Sequence, residues 1–241
     1  MEARPEDYRR VEILPIWLAG QAKTDASLTT NDLKALSRQM GTNLLAALTQ
    51  ALTDKGYEVV HTCRPLCTRE DWEALDADVR RLLSEVRTNF LELSQEIYAN
   101  RPNQKFKPCQ YKADSSVAGL QKRLGRSEAD LLVFLDSKAF LETPGAQHKR
   151  NQWNWTGGAI LTPLVVGLAI AGAGGPELPL KFSPCWMAHT ILIADARTLE
   201  VLFWNERTFS GEDARNAEAV KGKLRELVVD LAELPKPRSS R

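Results

Sequence analysis

The chain has 241 residues, with 32 Lys and Arg against 31 Asp and Glu, and a formal net charge of +1 at pH 7. This length can bury a sizeable core, and we expect a single domain spanning residues 1–241. The balanced charge gives no long-range attraction for nucleic acid or for an anionic membrane. Nucleic acid is therefore not an expected partner, whereas proteins and small molecules are.

The amino-terminal residues show no secretory signal. Met1–Arg10 is polar and charged, and the apolar stretch Val11–Ala19 is interrupted by Glu12 and Pro15. Two interpretations are open: the protein is cytoplasmic, or a leader was removed and the protein is periplasmic or associated with the outer membrane. Arg10–Trp17 is rich in β-forming residues and is predicted to be the first strand.

A helix and a second strand follow. Apolar residues recur at steps of three and four, which places them on one helical face: Leu33, Leu36, Met40, Leu44, Leu48 and Leu52. Thr30 or Asn31 is expected to cap this helix and Gly56 to end it. Tyr57–Val60 is then a short buried strand. The succession predicts a βαβ unit with parallel strands and a right-handed crossover.

The next pattern predicts one long helix. Thr68 and Asp71 have the spacing of a capping box, and an apolar period then runs from Trp72 to Ile97, about seven turns. Its outer end either packs on the core or offers a surface to a partner helix. A loop and a short helix, Ser116–Leu124, come next.

Three further elements complete the pattern. Ala129–Asp136 is a continuous apolar run bounded by charges, which predicts a central strand covered on both faces. Ile191–Ala194 and Val201–Trp204 predict a β-hairpin with a short polar turn. Ser210 and Asp213 form another capping pattern before a closing helix.

Together these elements predict an α/β fold. We expect a three-layer domain with a mixed, largely parallel sheet, helices on its faces and a late β-hairpin. An apolar, Gly-rich insertion at about 151–176 interrupts this domain.

The insertion is the most apolar part of the chain. No residue between Arg150 and Glu177 is charged, and Gly157–Gly175 is long enough to cross a bilayer, but six glycines and Pro163 weaken its insertion. A membrane-spanning helix, a buried glycine-rich segment and a loop touching a membrane or a neighbouring subunit remain open. The residues predicted to make this contact are Trp153, Trp155, Leu164, Val165 and Leu168.

The four cysteines leave three interpretations open. Cys63, Cys67, Cys109 and Cys185 form two disulfides in an oxidising compartment, or stay reduced and buried. Alternatively, Cys63, Cys67, Cys185 and His189 have spacings that a tetrahedral zinc site accepts.

Catalytic motifs are not evident in the sequence. It has no phosphate-binding loop, no dinucleotide-binding glycine motif and no G-x-S-x-G elbow, so no catalytic residue and no cofactor are predicted. Asp136 ends the predicted central strand, where open α/β sheets bind ligands, and Asp195 ends the first hairpin strand. Either carboxylate is an acid in a site, or Asp136 caps the segment after its strand and Asp195 binds the turn amides.

Four segments carry a family resemblance: Arg10–Trp17, Gly56–Val60, Ala129–Asp136 and the hairpin turn that begins at Asp195. In this order they resemble the α/β domain of bacterial envelope lipoproteins related to the curli secretion-channel lipoprotein, and more remotely the amino-terminal domain of the Tol-system propeller protein. The chain departs from that pattern at Leu199, where such hairpins commonly have Gly, and it has no lipobox cysteine near its start. Either the turn type differs or a left-handed backbone is tolerated at Leu199.

The resemblance implies an assembly role in the cell envelope. The predicted function is therefore that of a non-enzymatic scaffold, periplasmic and membrane-associated, that binds other envelope proteins and forms homo-oligomers or peripheral membrane contacts. The alternative is a cytosolic α/β enzyme or small-molecule-binding protein with a cleft near Asp136.

Overall fold

A computed structural model describes residues 8–23, 29–100, 110–123, 128–142 and 185–232. The strands of this part are β1 (Arg10–Ile13), β2 (Trp17–Lys23), β3 (Glu58–Thr62), β4 (Leu131–Glu142), β5 (Cys185–Asp195) and β6 (Val201–Ser210). The helices are α1 (Thr30–Asp54), α2 (Arg69–Glu73), α3 (Ala77–Asn100), α4 (Ser115–Arg123) and α5 (Ala217–Leu227).

The strands form one mixed sheet in the order β3-β1-β4-β5-β6, and β2 also pairs with β4. The pairs β1–β3, β1–β4 and β2–β4 are parallel, whereas β4–β5 and β5–β6 are antiparallel. The predicted α/β fold with a mixed sheet and a late hairpin is confirmed.

Helices cover the sheet on both faces and complete three layers. α1 and α5 pack on the face that carries Val133 and Leu135 of β4. α3 and α4 pack on the opposite face, which carries Leu132 and Phe134. Because side chains alternate along a strand, adjacent residues of β4 enter different cores.

The first predicted strand is divided in two. β1 ends at Ile13 and β2 begins at Trp17, and both pair with the same edge of β4. Pro15 lies between them, where its missing N–H and fixed φ interrupt the ladder.

Helix starts follow side-chain caps. Thr29 caps α1 in a capping box with Asp32, so the predicted caps Thr30 and Asn31 were wrong by one or two residues. The capping box of Thr68 with Asp71 is confirmed, but it begins only the five-residue α2. The predicted long helix is broken because the Asp76 carboxylate accepts hydrogen bonds from the N–H groups of Asp78 and Val79 and starts α3.

Strand lengths also differ from the sequence pattern. β4 continues to Glu142, so Asp136 lies in the middle of a strand and not at its carboxyl end. The polar residues from Asp136 onward suggest that the strand ends there, yet pairing with β2 on one side and β5 on the other extends it. The closing helix α5 starts after the cap Asn216, and not after Ser210.

The hairpin turn carries a strained residue. Leu199 has a φ of 61°, which settles the open alternative in favour of a left-handed backbone. This conformation costs about 1 kcal/mol or more for a residue with a Cβ. Leu199 is buried in the core under α3, and that burial offsets the strain.

None of the helices in the described part of the chain is long and apolar enough to span a membrane.

Candidate functional site

Three polar residues lie in one row across neighbouring strands. Asp136 of β4 pairs with Thr190 of β5, which pairs with Glu206 of β6. Neighbouring strands are about 4.8 Å apart, so the backbones of Asp136 and Glu206 are about 10 Å apart. All three side chains line one cavity on the face covered by α3.

The other wall of this cavity is a stripe of α3. Leu91, Ser94, Gln95 and Tyr98 follow helical spacing and line the cavity opposite the strands. The cavity has a volume of about 330 Å³, at the lower end of the range for small-molecule sites. We call it the α3 cleft; Lys138 of β4 and Ala188 of β5 complete its lining.

A buried carboxylate forms part of the strand wall. Asp136 is 5% exposed, and the Nη2 of Arg87 lies 3.3 Å from its Oδ1. Burial raises the pKa of the Asp136 carboxyl above its ordinary value, and the positive charges of Arg87 and Lys138 offset only part of this rise.

A buried hydroxyl faces the same cavity. Ser94 is 7% exposed, and its Oγ has no hydrogen-bond partner in the described part of the chain. Leaving such a group unpaired costs about 1 to 3 kcal/mol. Ser94 is therefore a polar group that a bound molecule is able to satisfy.

The rim of the cleft is accessible and charged. Lys138, Glu206 and Gln95 are exposed, and Tyr98 is 59% exposed despite its aromatic ring. The accessible rim and the buried Asp136 and Ser94 together give the cleft donors, acceptors and both signs of charge.

A second polar pair lies directly behind the cleft, on the opposite face of the sheet. The Oγ of Ser137 is 3.0 Å from the Nδ1 of His189, and both residues are 1% exposed. Burial lowers the pKa of His189 to about 4, so its ring is neutral at pH 7. A substrate has no access to this serine and histidine, and their contact is part of the core.

A smaller cavity of about 200 Å³ lies after β1 and β3, lined by Pro15, Cys63 and Asp71 among others. Burial opposes ionisation of Asp71. Even so, its hydrogen bonds from Thr68 and the charges of Arg38 and Arg64 hold its pKa below the ordinary value. Asp71 is therefore already engaged in the cap of α2 and in ion pairs.

Three of the four cysteines lie within the described residues. Cys63, Cys67 and Cys185 form no disulfide with one another, and Cys109 lies outside the described residues. Burial and the neighbouring Asp71 carboxylate raise the pKa of Cys67 to about 11, so its thiol stays protonated at neutral pH.

The four residues of the predicted zinc site do not come together. The N–H of Cys63 binds the carbonyl of Ile13, whereas Cys185 pairs with Leu141. Ile13 pairs with Val133, and the eight residue steps from Val133 to Leu141 span about 26 Å along β4. His189 lies on the same strand as Cys185, and no group of three or more potential ligands forms within the described ranges.

Other predicted site residues have different outcomes. The Oδ1 of Asp195 accepts hydrogen bonds of 2.7 Å from the N–H groups of Arg197 and Thr198, which confirms the predicted turn role. Asp136, by contrast, lies inside β4, caps no element among the described residues and lines the α3 cleft. The predicted contact residues lie outside the described residues, as does the whole insertion at 151–176: Trp153, Trp155, Leu164, Val165 and Leu168.

Sequence reasoning missed most of the α3 cleft. The apolar stripe of Phe90, Leu93 and Ile97 accounts for α3 as a core helix and gives no reason to single out Ser94 or Tyr98. The sequence signal for these residues is a second helical stripe of α3, beside the apolar one, in which Ser94 is a buried serine. Glu206 had no such signal, since its place opposite Asp136 depends on strand register.

A scan against protein-family models finds no matching family, and a search of curated proteins finds no significant match to this chain.

Proposed function

We propose that this protein is a non-catalytic binding domain and that the α3 cleft holds a small polar ligand. The observation that carries the proposal is the pair of buried polar groups, Asp136 and Ser94, that line a cavity of about 330 Å³. This corresponds to the small-molecule alternative for a cleft near Asp136, although its position in the fold differs from the one expected.

Energetics support the choice of this cavity. A polar group without a partner in the core lowers stability, and such groups persist where binding uses them. Ser94, in the middle of an otherwise apolar helix face, has this character within the described residues, and the buried acid Asp136, which pairs with Arg87, lines the same cavity. The smaller cavity lacks it, because Asp71 already has its partners.

The test is a screen of small polar molecules by thermal shift and ligand-observed NMR, with Ser94→Ala as the decisive variant. Ser94→Ala removes an unpaired buried hydroxyl, so we expect unchanged or higher stability together with loss of the ligand response. Ser84→Ala is the matched control, because Ser84 is an exposed serine of the same helix. The proposal fails if no molecule distinguishes Ser94→Ala from Ser84→Ala.

A second candidate function is the assembly role in the cell envelope, for which the uncharged sequence Gly157–Gly175 and the tryptophans before it are the supporting observation. Deletion of residues 157–175 is then expected to reduce membrane association and oligomer size. Size-exclusion chromatography with light scattering, with and without detergent, measures both quantities. If neither changes, this segment has no role in assembly.

A further inference from the structure

We propose that the α3 cleft selects an organic cation, either a protonated amine or a guanidinium group. This inference rests on the proposed function, since it names the ligand class of the same cavity. It depends on the charges of the lining, the geometry of the Asp136 ion pair and the kind of hydrogen-bonding groups on the walls.

Negative charge exceeds positive charge on the cleft lining. Asp136 and Glu206 are carboxylates, and Lys138 is the cation among the residues that line the cavity. Lys138 is exposed at the rim, and its long flexible side chain is free to point into water. Asp136 is buried, so its carboxylate stays in the wall of the cleft.

Arg87 contacts one oxygen of the Asp136 carboxylate. Its Nη2 donates a hydrogen bond of 3.3 Å to Oδ1, and within the described part of the chain no group bonds to Oδ2. Arg87 also stands outside the cavity lining, one helical turn before Leu91. The second carboxylate oxygen of Asp136 is therefore open to a further cation.

Four neighbouring groups of the lining have acceptor oxygens: the carboxylates of Asp136 and Glu206 and the hydroxyls of Thr190 and Ser94. An ammonium has three donor hydrogens and a guanidinium five, and neither accepts. A ligand with several donors is therefore able to bind these four groups, while Lys138 and Gln95 supply donors at the rim.

The aromatic ring at the rim fits the same ligand class. Tyr98 lines the cleft and is 59% exposed, which leaves its ring available to a ligand. A cation near an aromatic face is attracted by the ring electrons. Tyr98 lies one helical turn from Ser94, so a cation bound beside Ser94 is about one helical turn from this ring.

The test uses three probes of equal length and different charge: 1,5-diaminopentane, 1,5-pentanediol and glutarate. Calorimetry gives the affinity, and backbone amide NMR shifts at Ser94 and Thr190 report the place of binding. We expect the diamine to bind in the cleft, and the diol and the dianion to bind at least about tenfold more weakly.

Variants assign the binding to the carboxylates. Asp136→Asn and Glu206→Gln are each expected to weaken diamine binding, by about tenfold or more for the buried Asp136. Lys138→Glu is expected to strengthen it by about fivefold, and this exposed substitution does not depend on core packing. Glu58→Gln, at an exposed glutamate of the other edge strand, is the control and leaves the affinity unchanged.

A peptide arm distinguishes the source of the cation. An end-blocked peptide with one lysine is compared with the same peptide containing norleucine. Tighter binding of the lysine peptide than of the diamine assigns the cation to a polypeptide, and the reverse order assigns it to a free amine; both results support the proposal.

Three results would overturn the cation assignment. They are preferential binding of glutarate, diamine binding that Asp136→Asn and Glu206→Gln do not change, and failure of both the diamine and the lysine peptide to bind. The serine variants of the ligand screen test the cleft separately. A neutral or anionic ligand lost in Ser94→Ala would leave the binding function standing while excluding the organic cation.

Discussion

Two neighbouring polar pairs lie on opposite faces of the sheet and differ in their access to solvent. Asp136 opposite Thr190 lines the α3 cleft, whereas the next pair, Ser137 opposite His189, is sealed under α1 and α5. On the sealed face the serine and histidine bind each other. On the cleft face Asp136 forms an ion pair with Arg87 and also lines a cavity. Polar residues in the middle of this sheet are therefore accessible only where the covering helix leaves space.

The largest expected difference comes from truncating one residue on each face. His189→Ala leaves a cavity and an unpaired Ser137 hydroxyl, and is expected to lower the free energy of unfolding by about 2 to 4 kcal/mol. Thr190→Ala, next in the same strand and half-buried at the cleft, should cost less than about 1 kcal/mol. Urea denaturation measures both. Equal losses would mean that the two faces are packed alike.

The pH dependence of stability should have opposite signs on the two faces. Unfolded histidine protonates near pH 6.5, but folded His189 resists protonation down to about pH 4. Below pH 6.5 the unfolded state thus binds more protons, and about 3 kcal/mol of stability is lost as the pH falls to 4.

Asp136 acts in the other direction. Its folded pKa is raised, so its stabilising contribution is present at low pH and is lost as the pH rises through the folded pKa. Denaturation midpoints measured from pH 4 to 8 are expected to show a flatter acid limb in His189→Asn. Asp136→Asn should gain stability relative to the parent as the pH rises. A shared sign for the two variants would refute this contrast.

Close packing on the sealed side is tested by a pair of glycines. A Cβ on Gly41 of α1 would overlap the Sγ of Cys67, whereas one on Gly222 of α5 meets nothing within 4 Å among the described residues. Gly41→Ala is expected to cost about 1 to 3 kcal/mol. Gly222→Ala should add about 0.5 to 1 kcal/mol, because alanine favours the helix. Thermal unfolding of the two variants gives the comparison, and similar shifts would contradict it.

The smallest expected effect concerns the hairpin turn under α3. Leu199→Ala keeps the left-handed strain and loses burial, whereas Leu199→Gly loses the same burial and relieves the strain. Both variants should be less stable than the parent, and the glycine variant is expected to be more stable than the alanine variant by about 1 kcal/mol. Chemical denaturation resolves this difference. A more stable alanine variant would show that Leu199 is unstrained.

Sequence patterns predicted the elements of this fold well where the signal was local. The leucine period of α1, the capping box of Thr68 and the apolar run inside β4 each depend on residues within a few positions of one another. The errors arose where local signals compete. Asp76 restarts a helix inside a continuous apolar period, and Ser137 and Lys138 look like the end of a strand that pairing extends.

Local patterns in the sequence are enough to predict the kind and order of most elements, because periods of 2 and 3.6 residues and helix caps are short-range properties; the breaks between β1 and β2 and between α2 and α3 are the exceptions. The shared row of Asp136, Thr190 and Glu206, with Ser94 opposite it, follows from the tertiary structure alone. Such a row depends on strand register, and a slip of one residue would exchange the two faces of the sheet. The same register places Asp136 and Thr190 in the α3 cleft and His189 in the sealed core.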